Sequence, residues 1–172
     1  MKLLAIDPGS TESAFVVFDG DTERKFLEFA KIPNEALVSR IRQWKDSGNG
    51  PDTCAVEQIR GYGMTAGNEL FDTCMWSGRF CEAFGADNVH WLPRKTVITQ
   101  ICGSPKANDS DLRAALIDRF GPPTFPSGMK KPKTLPGPTN GFARDTWAAL
   151  AVAACFWDQR VYQLLKQEVT MR

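Results

Sequence analysis

The chain has 172 residues, a net charge of +1, 42% hydrophobic residues and 24% charged residues. This length suits a single domain, residues 1–172, with a sizeable core. The near-zero charge excludes a globally basic surface, so any nucleic-acid-binding surface must be local. No stretch resembles a membrane span and the start lacks the layout of a signal peptide, so we expect no membrane partner.

The cysteine pattern favours a reducing compartment. The five cysteines are an odd number, and none forms a CxxC pair. Most of them lie among apolar residues, as reduced core cysteines do, so we predict a cytoplasmic location. The single histidine, His90, has no cysteine at ligand spacing, which argues against a zinc site. The cysteines are Cys54, Cys74, Cys81, Cys102 and Cys155.

The N-terminal part predicts three strands in an antiparallel meander. Residues Lys2–Asp7 form the first strand, and the turn-rich segment DPGSTE joins it to a second over Ser13–Phe18. Alternating apolar residues over Glu23–Ile32 predict the third strand. A helix then begins at Pro33 and runs through Trp44.

The middle of the chain predicts a strand, a helix and another strand. The short apolar segment TCAVEQ is the fourth strand, and it carries the acid Glu57 close to its end. A glycine-rich link, RGYGMTAGN, leads into a helix from Glu69 to Phe84, and NVHWLP follows as the fifth strand. The buried side of this helix is predicted to hold Leu70, Cys74, Cys81 and Phe84.

The C-terminal part predicts helices around one long loop. Short helices cover Lys95–Ile101 and Ser110–Phe120, with Ser110 as the N-cap of the second. The stretch GPPTFPSGMKKPKTLPGPTNG holds six of the eleven prolines, which predicts a loop. A last helix spans Phe142–Glu168. Its apolar residues are Trp147, Leu150, Ala151, Ala154, Cys155, Trp157 and Val161.

This order of elements predicts an α/β fold. Three strands in succession favour an antiparallel meander at one edge of a sheet. The two later strands, each of which follows a helix, extend the same sheet. We therefore expect a mixed five-stranded sheet with helices on both faces.

Three acids stand at the ends of predicted elements. Asp7 ends the first strand and Glu57 the fourth, so their side chains belong to the same edge of the sheet, where open α/β sheets place sites. Asp145 begins the last helix, where a carboxylate is favoured by the helix N-terminus. Converging acids repel one another unless a cation compensates them. With oxygen ligands and no histidine or cysteine, that cation would be Mg²⁺ or Mn²⁺.

Each acid also has a purely structural explanation. Asp7 precedes Pro8 and Gly9, so it could be a turn residue. Glu57 could be an exposed strand end paired with Arg60. Asp145 could be an ordinary acid at a helix start.

The segments that carry these acids resemble the RuvC family of Holliday junction resolvases. AIDPGSTESAFVVFD resembles the family's first strand with its Asp-Pro-Gly, and AVEQIRGYG resembles the strand that ends in Glu-Gln. LFDTCMWSGRF looks like the helix that follows, and RDTWAALAVAA resembles the last motif, an Asp opening an Ala-rich helix. The resemblance covers nearly the whole chain and suits a divergent or phage-type member.

The resemblance implies an RNase H-like fold and a homodimeric, metal-dependent endonuclease. Such an enzyme nicks symmetric strands of a four-way DNA junction and leaves a 5′-phosphate and a 3′-hydroxyl. Asp7 would bridge two Mg²⁺ or Mn²⁺ ions, and Glu57 and Asp145 would complete the catalytic ligand set. The helix over Glu69–Phe84 is compatible with the dimer interface because its apolar residues exceed one buried face. These residues are Phe71, Met75, Trp76 and Phe80.

Two positions depart from the family pattern. Family members commonly carry two aspartates three residues apart at the last helix, whereas Asp145 is followed at that offset by Ala148. Asp109 or Asp111 could substitute for the missing acid. Where family members keep a basic residue or histidine just before the final acid, this chain has Phe142 or Arg144, so the metal count is open.

Local basic clusters are the candidates for DNA binding. The run of lysines just before Asp145 is either a solvated loop or part of this surface. Tyr62 or Met64, flanked by glycines, could wedge between bases at the branch point, or Tyr62 could fold onto the core. The basic candidates are Arg60, Arg94, Lys95, Lys106, Lys130, Lys131, Lys133 and Arg144.

Three other readings compete with a resolvase. The sugar kinase and actin class resembles DPGSTESAFVVFD too, but it needs two such domains, for which 172 residues leave no room. Another nuclease of the RNase H superfamily could act on other branched DNA or on RNA. A junction-binding protein without catalysis would be marked by a missing acid, and Ala148 keeps that reading open.

Overall fold

The computed structural model describes residues 1–20, 25–61, 63, 66–127 and 133–170. Within these residues, five strands form one sheet and two short strands form a separate hairpin. The strands of the sheet are β1 (Lys2–Asp7), β2 (Glu12–Asp19), β3 (Lys25–Pro33), β4 (Thr53–Gln58) and β5 (Val89–Pro93). The hairpin consists of β6 (Thr124–Ser127) and β7 (Lys133–Pro136). The helices are α1 (Asn34–Ser47), α2 (Asn68–Phe84), α3 (Arg94–Cys102), α4 (Asp109–Phe120) and α5 (Asp145–Thr170), with a short 3₁₀ turn at Ala86–Asn88.

The sheet has the predicted mixed topology, with strand order β3-β2-β1-β4-β5. Strands β1, β2 and β3 pair antiparallel, as expected of the meander. Strand β4 pairs parallel to both β1 and β5. The prediction of an α/β fold with a mixed five-stranded sheet is therefore confirmed, and β1 and β4 are neighbours whose carboxyl ends share one edge.

The two faces of the sheet are buried by different helices. On one face, Leu4, Ile6 and Val56 pack with residues of α1 and α2. On the other face, Leu3, Ala5 and Ala55 pack with α5 and with residues of α3 and α4. Because side chains alternate along a strand, each strand contributes to both cores. Helices therefore cover both faces, as predicted.

The buried face of α2 differs from the predicted one. Cys74 is exposed, and Leu70 and Phe84 are only partly buried. Phe80, predicted to be surplus to the buried face, is fully buried. Cys81 is buried as predicted, and the buried face also includes Thr73 and Ser77, whose hydroxyls donate to carbonyls four residues earlier, which lowers the cost of burying them. The buried residues of α2 are Thr73, Ser77, Phe80, Cys81 and Ala83.

Four further predictions about the C-terminal part were wrong in detail. The N-cap of α4 is Asn108 and not Ser110, because the Asn108 side chain accepts from two backbone amides and Asp111 accepts from the amide of Asn108. Part of the predicted proline-rich loop is the β6–β7 hairpin. Helix α5 begins at Asp145, three residues after Phe142, whose ring stacks on Phe29 in the core. Val161, predicted on the apolar face of α5, is exposed.

Some predicted residues lie outside the part of the chain that the structure describes. These include residues 23 and 24, at the predicted start of the third strand. In the described part, no helix is long and apolar enough to cross a membrane. The predicted functional residues outside it are Tyr62, Met64, Lys130 and Lys131.

Candidate active site

Strand alternation directs Asp7 and Glu57 to the same face of the sheet. Asp7 is two residues after Ala5, and Glu57 is two residues after Ala55; both alanines belong to the core beneath α5. Ala5 and Ala55 are also partners in the parallel pairing of β1 and β4. The two carboxylates therefore lie on neighbouring strands, at the same edge and on the same side.

Helix α5 crosses this face of the sheet and contributes the third acid. Asp145 is its first residue, and the helix packs against β1 and β2. A cavity of about 620 Å³ opens at this helix end. The charged residues that line it are Asp7, Arg94, Asp109, Arg113, Arg144 and Asp145.

The turn after Asp7 is held by a buried hydrogen-bond network. The Ser13 hydroxyl accepts from the Gly9 amide at 3.1 Å and donates to Asn34 Oδ1 at 2.6 Å. Asn34 Nδ2 then donates to the Gly9 carbonyl at 2.9 Å. A Cβ on Gly9 would lie 2.3 Å from the Glu12 carbonyl oxygen, so this position requires glycine. The network orients the end of β1, where Asp7 stands, and neither Ser13 nor Asn34 was among the predicted site residues.

Arg94 joins two of the acids. Its Nη1 donates to both carboxylate oxygens of Glu57, at 3.3 and 3.2 Å. Its Nη2 lies 2.5 Å from Asp109 Oδ1. Arg60 instead donates to the side chain of Gln58, so the alternative in which Glu57 is an exposed strand end paired with Arg60 is wrong. The side chain of Glu57 is only 10% exposed.

Lys31 pairs with the acid on the opposite side of the site. Its Nζ lies 2.7 Å from Asp145 Oδ2 and 3.9 Å from Glu12 Oε2. The position follows from strand register, since Asp7 pairs with Ala14 and Ala14 pairs with Lys31 across three antiparallel strands. The hydrogen bond to Asp145 raises the pKa of Lys31, which stays protonated. Strand alternation alone would have placed Lys31 on the correct face, but the sequence analysis did not single it out.

The protonation of Asp7 reflects its surroundings. Burial raises the pKa of its carboxyl, the charge of Glu57 raises it further, and Arg94 lowers it, with a result of about 8. Burial also raises the pKa of Glu57, while Arg94 opposes that shift. In the part of the chain described, the structure shows no hydrogen bond or ion pair from a side chain to the Asp7 carboxylate. Asp7 is thus the acid with the least compensation.

The backbone before Asp145 is strained. Arg144 has a φ of 39°, in the left-handed region that residues with a Cβ seldom adopt. The Thr146 hydroxyl, which accepts from the Ala143 amide at 2.8 Å, helps to hold this turn. Such strain persists when surrounding contacts impose it, and it occurs often at functional sites. The strained turn brings Arg144 to the same cavity as Asp145.

Asp109 and Asp111 were the two candidates to replace the acid that is missing at Ala148. The structure brings Asp109 to the site. Asp109 lines the cavity and binds Arg94. Asp111 is the N3 residue of the α4 capping box and lies in a different depression, beside Lys106. Ala148 lines the cavity one turn after Asp145, where it provides no oxygen.

The predicted DNA-binding residues fall at different places. Arg94 and Arg144 line the cavity at the acids. Arg60 and Lys95 line a separate cavity of about 450 Å³ beside α3. Lys106 lies near the start of α4, and Lys133 begins β7. The arrangement brings two of the predicted cations directly to the acids and leaves Arg60, Lys95 and Lys106 in separate depressions.

Cations of the protein itself are paired with most of the acids at this site. Among the described residues, no three His, Cys, Asp or Glu side chains come close enough together to hold a metal ion. Arg94 holds Glu57 and Asp109, and Lys31 holds Asp145. The donor set nevertheless suits a hard divalent ion, because it consists of carboxylate oxygens and its cationic partners stand where such an ion would balance the charge.

Comparison with known proteins supports the fold. Thermus thermophilus RuvC is 18% identical, with a TM-score of 0.62 over 90% of this chain and 92% of that one. T. thermophilus RuvC in complex with a Holliday junction substrate is 19% identical, with a TM-score of 0.64 over the same shares. A fowlpox virus Holliday junction resolvase gives a TM-score of 0.44 at 11% identity, covering 92% of this chain and 99% of that one. No protein-family model and no curated protein matches the chain.

The fold is therefore the RNase H-like fold of RuvC, as the resemblance implied. The acids at the carboxyl edge of its sheet make this edge the candidate active site. The similarity extends over most of both chains, at a sequence identity below one fifth.

Proposed function

We propose that the chain is a divalent-metal-dependent endodeoxyribonuclease that resolves four-way DNA junctions. The observation that carries this proposal is the position of Asp7 and Asp145 in one cavity at the carboxyl edge of a RuvC-like sheet, with Glu57 beside Asp7 on the neighbouring strand. Their sole ion-pair partners among the described side chains are Arg94 and Lys31. Acids kept together at such electrostatic cost favour a role in binding cations.

Asp7, Glu57 and Asp145 would hold the metal, with Asp109 as the nearest fourth acid. Oxygen ligands favour Mg²⁺ or Mn²⁺, and we expect two ions per site. Ions bound there would polarise the scissile phosphate, lower the pKa of an attacking water and stabilise the leaving oxygen. In-line attack would leave a 5′-phosphate and a 3′-hydroxyl, as the family resemblance implies.

The chain's own residues would bind and orient the phosphate. Arg113 and Arg144 line the cavity beside the acids, which a backbone phosphate would enter. Arg113 also packs over the ring of Trp147, 5.5 Å from its centroid, which limits its freedom. Arginine suits this role because its planar donors match phosphate oxygens in pairs.

The wider DNA surface remains a proposal based on charge. Arg60, Lys95 and Lys106 would contact phosphates away from the cut. The predicted wedge residues, Tyr62 and Met64, follow β4 after Arg60 and would contact the branch point. T. thermophilus RuvC has been solved with a Holliday junction substrate, and its similarity supports branched DNA as the substrate here.

We also propose a homodimer formed through α2. Phe71 and Met75 lie one turn apart and are 63% and 57% exposed, and the neighbouring Cys74 is exposed too. A dimer would cover this patch and give two active sites for symmetric nicking. Analytical ultracentrifugation of Met75→Glu should show monomers at concentrations where the parent chain is dimeric. Leu165→Glu, at an exposed leucine of α5, is the matched control and should stay dimeric; a monomeric parent chain would contradict the proposal.

The cysteines support a reducing, cytoplasmic compartment. All five are free thiols, as predicted. Three of them, Cys54, Cys81 and Cys155, are buried, as reduced core cysteines commonly are. The cytoplasmic location stays a prediction, and localisation of the tagged chain in its native cell would test it.

The deciding experiment is cleavage of a labelled four-way junction beside a flap and a linear duplex, in Mg²⁺ and in Mn²⁺. We expect paired symmetric nicks in the junction and a loss of about 10³-fold in Asp7→Asn, since the charge stabilisation lost is several kcal/mol. Equal cutting of all branched substrates would replace the resolvase with a broader nuclease. Tight junction binding without cutting in either metal would favour the second candidate, a junction-binding protein. The observation in favour of this candidate is Ala148, which lines the cavity and provides no ligand oxygen.

A further inference from the structure

The Arg94 guanidinium occupies the inner side of the acidic site. Arg94 is the first residue of α3, immediately after β5, and Leu92 of that strand pairs with Glu57. This register brings the guanidinium against both oxygens of Glu57, while its other amino group contacts Asp109 of α4. One side chain thus links the acid on the sheet to an acid on a separate helix.

Arg94 also compensates acids that it does not touch. Its charge opposes the rise in the pKa of Asp7 that burial and Glu57 produce. The other side-chain cation paired with a predicted ligand in the described part of the chain is Lys31, which contacts Asp145. Lys31 and Asp145 are 43% and 44% exposed, whereas Glu57 is mostly buried, so the charge of Arg94 is the less screened of the two.

We propose that Arg94 is the internal counter-cation of this site, which a divalent ion must displace from Glu57. This inference rests on the proposed function only in placing the ion at Asp7 and Glu57. The reason is geometric, because Arg94 already donates to both Glu57 oxygens. A cation bound to those oxygens would also repel the guanidinium. Ion binding and the Arg94–Glu57 pair therefore compete for the same oxygens.

After displacement, the Arg94 guanidinium could donate hydrogen bonds to a phosphate. Asp109 is 85% exposed and can retain one amino group of the guanidinium at the cavity wall. A DNA phosphate in the cavity would provide a new partner for the other. DNA would then favour the displaced state and the metal would favour it too, so each would strengthen binding of the other by the same factor.

The test is titration of metal-free protein with Mn²⁺, without DNA, by electron paramagnetic resonance of the free ion. Arg94→Met should lower the Kd for Mn²⁺ about tenfold, as expected if an ion no longer has to break a partly buried pair. Arg94→Lys keeps the charge but cannot hold both partners in the same way, and should lower the Kd about threefold. Arg113→Met removes a positive charge from the same cavity and should change the Kd by less than about twofold.

An unchanged or higher Kd in Arg94→Met would overturn the inference. An equal gain in Arg113→Met would overturn it as well, because the effect would then belong to the cavity's overall charge. Should Arg94→Met fail to fold, the coupling between DNA binding and Mn²⁺ binding is compared in Arg94→Lys and in the parent chain. In the parent chain, a nicked-junction product should lower the Kd for Mn²⁺ by several-fold, and in Arg94→Lys by clearly less; equal shifts would overturn the proposal.

These outcomes separate this inference from the proposed nuclease. Parent protein that binds Mn²⁺ and cuts junctions, with no tighter binding in Arg94→Met, contradicts only the role of Arg94. Tighter binding in Arg94→Met together with no cutting by the parent chain supports the counter-cation and contradicts the nuclease. Absence of Mn²⁺ binding in the parent chain and in Arg94→Met contradicts both.

Discussion

Arg94 and Lys31 neutralise opposite sides of the acidic site in very different surroundings. On the inner side, Arg94 is 36% exposed and holds Glu57, which is almost buried. On the outer side, Lys31 and Asp145 are both more exposed, at 43% and 44%. A pair sheltered from water interacts more strongly and is less screened by salt than an exposed pair. The comparison teaches that the inner pair would set the charge balance of the metal-free site and that the outer pair would adjust easily.

The largest expected effects would show that both sides serve the same chemistry. Glu57→Gln and Asp145→Asn should each reduce junction cleavage about 10³-fold, because each removes one ligand of the proposed metal site. Glu12→Gln changes a second acid near Lys31 that we do not assign to the metal site, and it should keep cleavage within about threefold. Nicking assays in Mg²⁺ check this. Cleavage by Asp145→Asn within tenfold of the parent rate would restrict the metal site to the inner side.

The next effect is a pH dependence that originates on the inner side. The folded-state pKa of Asp7 is about 8, against 3.8 for an ordinary carboxyl. Between these values the folded protein binds a proton that the unfolded chain has released. The contribution of Asp7 to the free energy of unfolding of the metal-free protein should therefore be highest below pH 4 and should fall as the pH rises to about 8. The slope in that window would reach about 1.4 kcal/mol per pH unit.

Urea unfolding in EDTA at several pH values, for the parent chain and Asp7→Asn, measures this contribution. The difference between the two isolates Asp7, since the other titrating groups are shared. Asp7→Asn should gain stability relative to the parent as the pH rises. A constant difference from pH 4 to pH 8 would mean that Asp7 is not the source.

A smaller effect is the strength of the inner ion pair itself. A double-mutant cycle of Arg94→Met and Glu57→Gln in EDTA should give a coupling energy of about 1–2 kcal/mol, since the pair is partly buried. Adding Mn²⁺ should increase the stability of Arg94→Met more than that of the parent chain, because the stabilisation by a bound ligand grows with the logarithm of its affinity. A coupling energy near zero would mean that the Arg94–Glu57 pair is no stronger than the Lys31–Asp145 pair.

The smallest effect belongs to the outer pair. The cycle of Lys31→Met and Asp145→Asn should give less than about 0.5 kcal/mol at low salt, the range of exposed pairs. At about 1 M NaCl this coupling should vanish, while that of the inner pair persists in part. Equal salt sensitivity of the two cycles would contradict the comparison.

The fold class and the positions of the acids follow from the order of residues alone. Short continuous runs of apolar residues identify β1, β2 and β4, and turn residues such as Pro8 and Gly9 separate the first two. An acid at the end of a buried strand is unusual enough to mark Asp7 and Glu57. The alanine-rich pattern after Asp145 identifies a long buried helix. These features are local, so the order of residues is sufficient to predict them.

Only the tertiary structure decided how the charges of the site are paired. Arg94 meets Glu57 across 37 positions of chain, and Lys31 meets Asp145 from the far strand of the meander. Local sequence cannot reveal such pairs, because they depend on strand register and on how helices cross the sheet. The same reason explains the errors at α2, where hydroxyls bonded within the helix allow Thr73 to be buried and leave Cys74 outside. Periodicity predicts which residues share a face; packing against the rest of the chain decides which face is buried and which cation each acid meets.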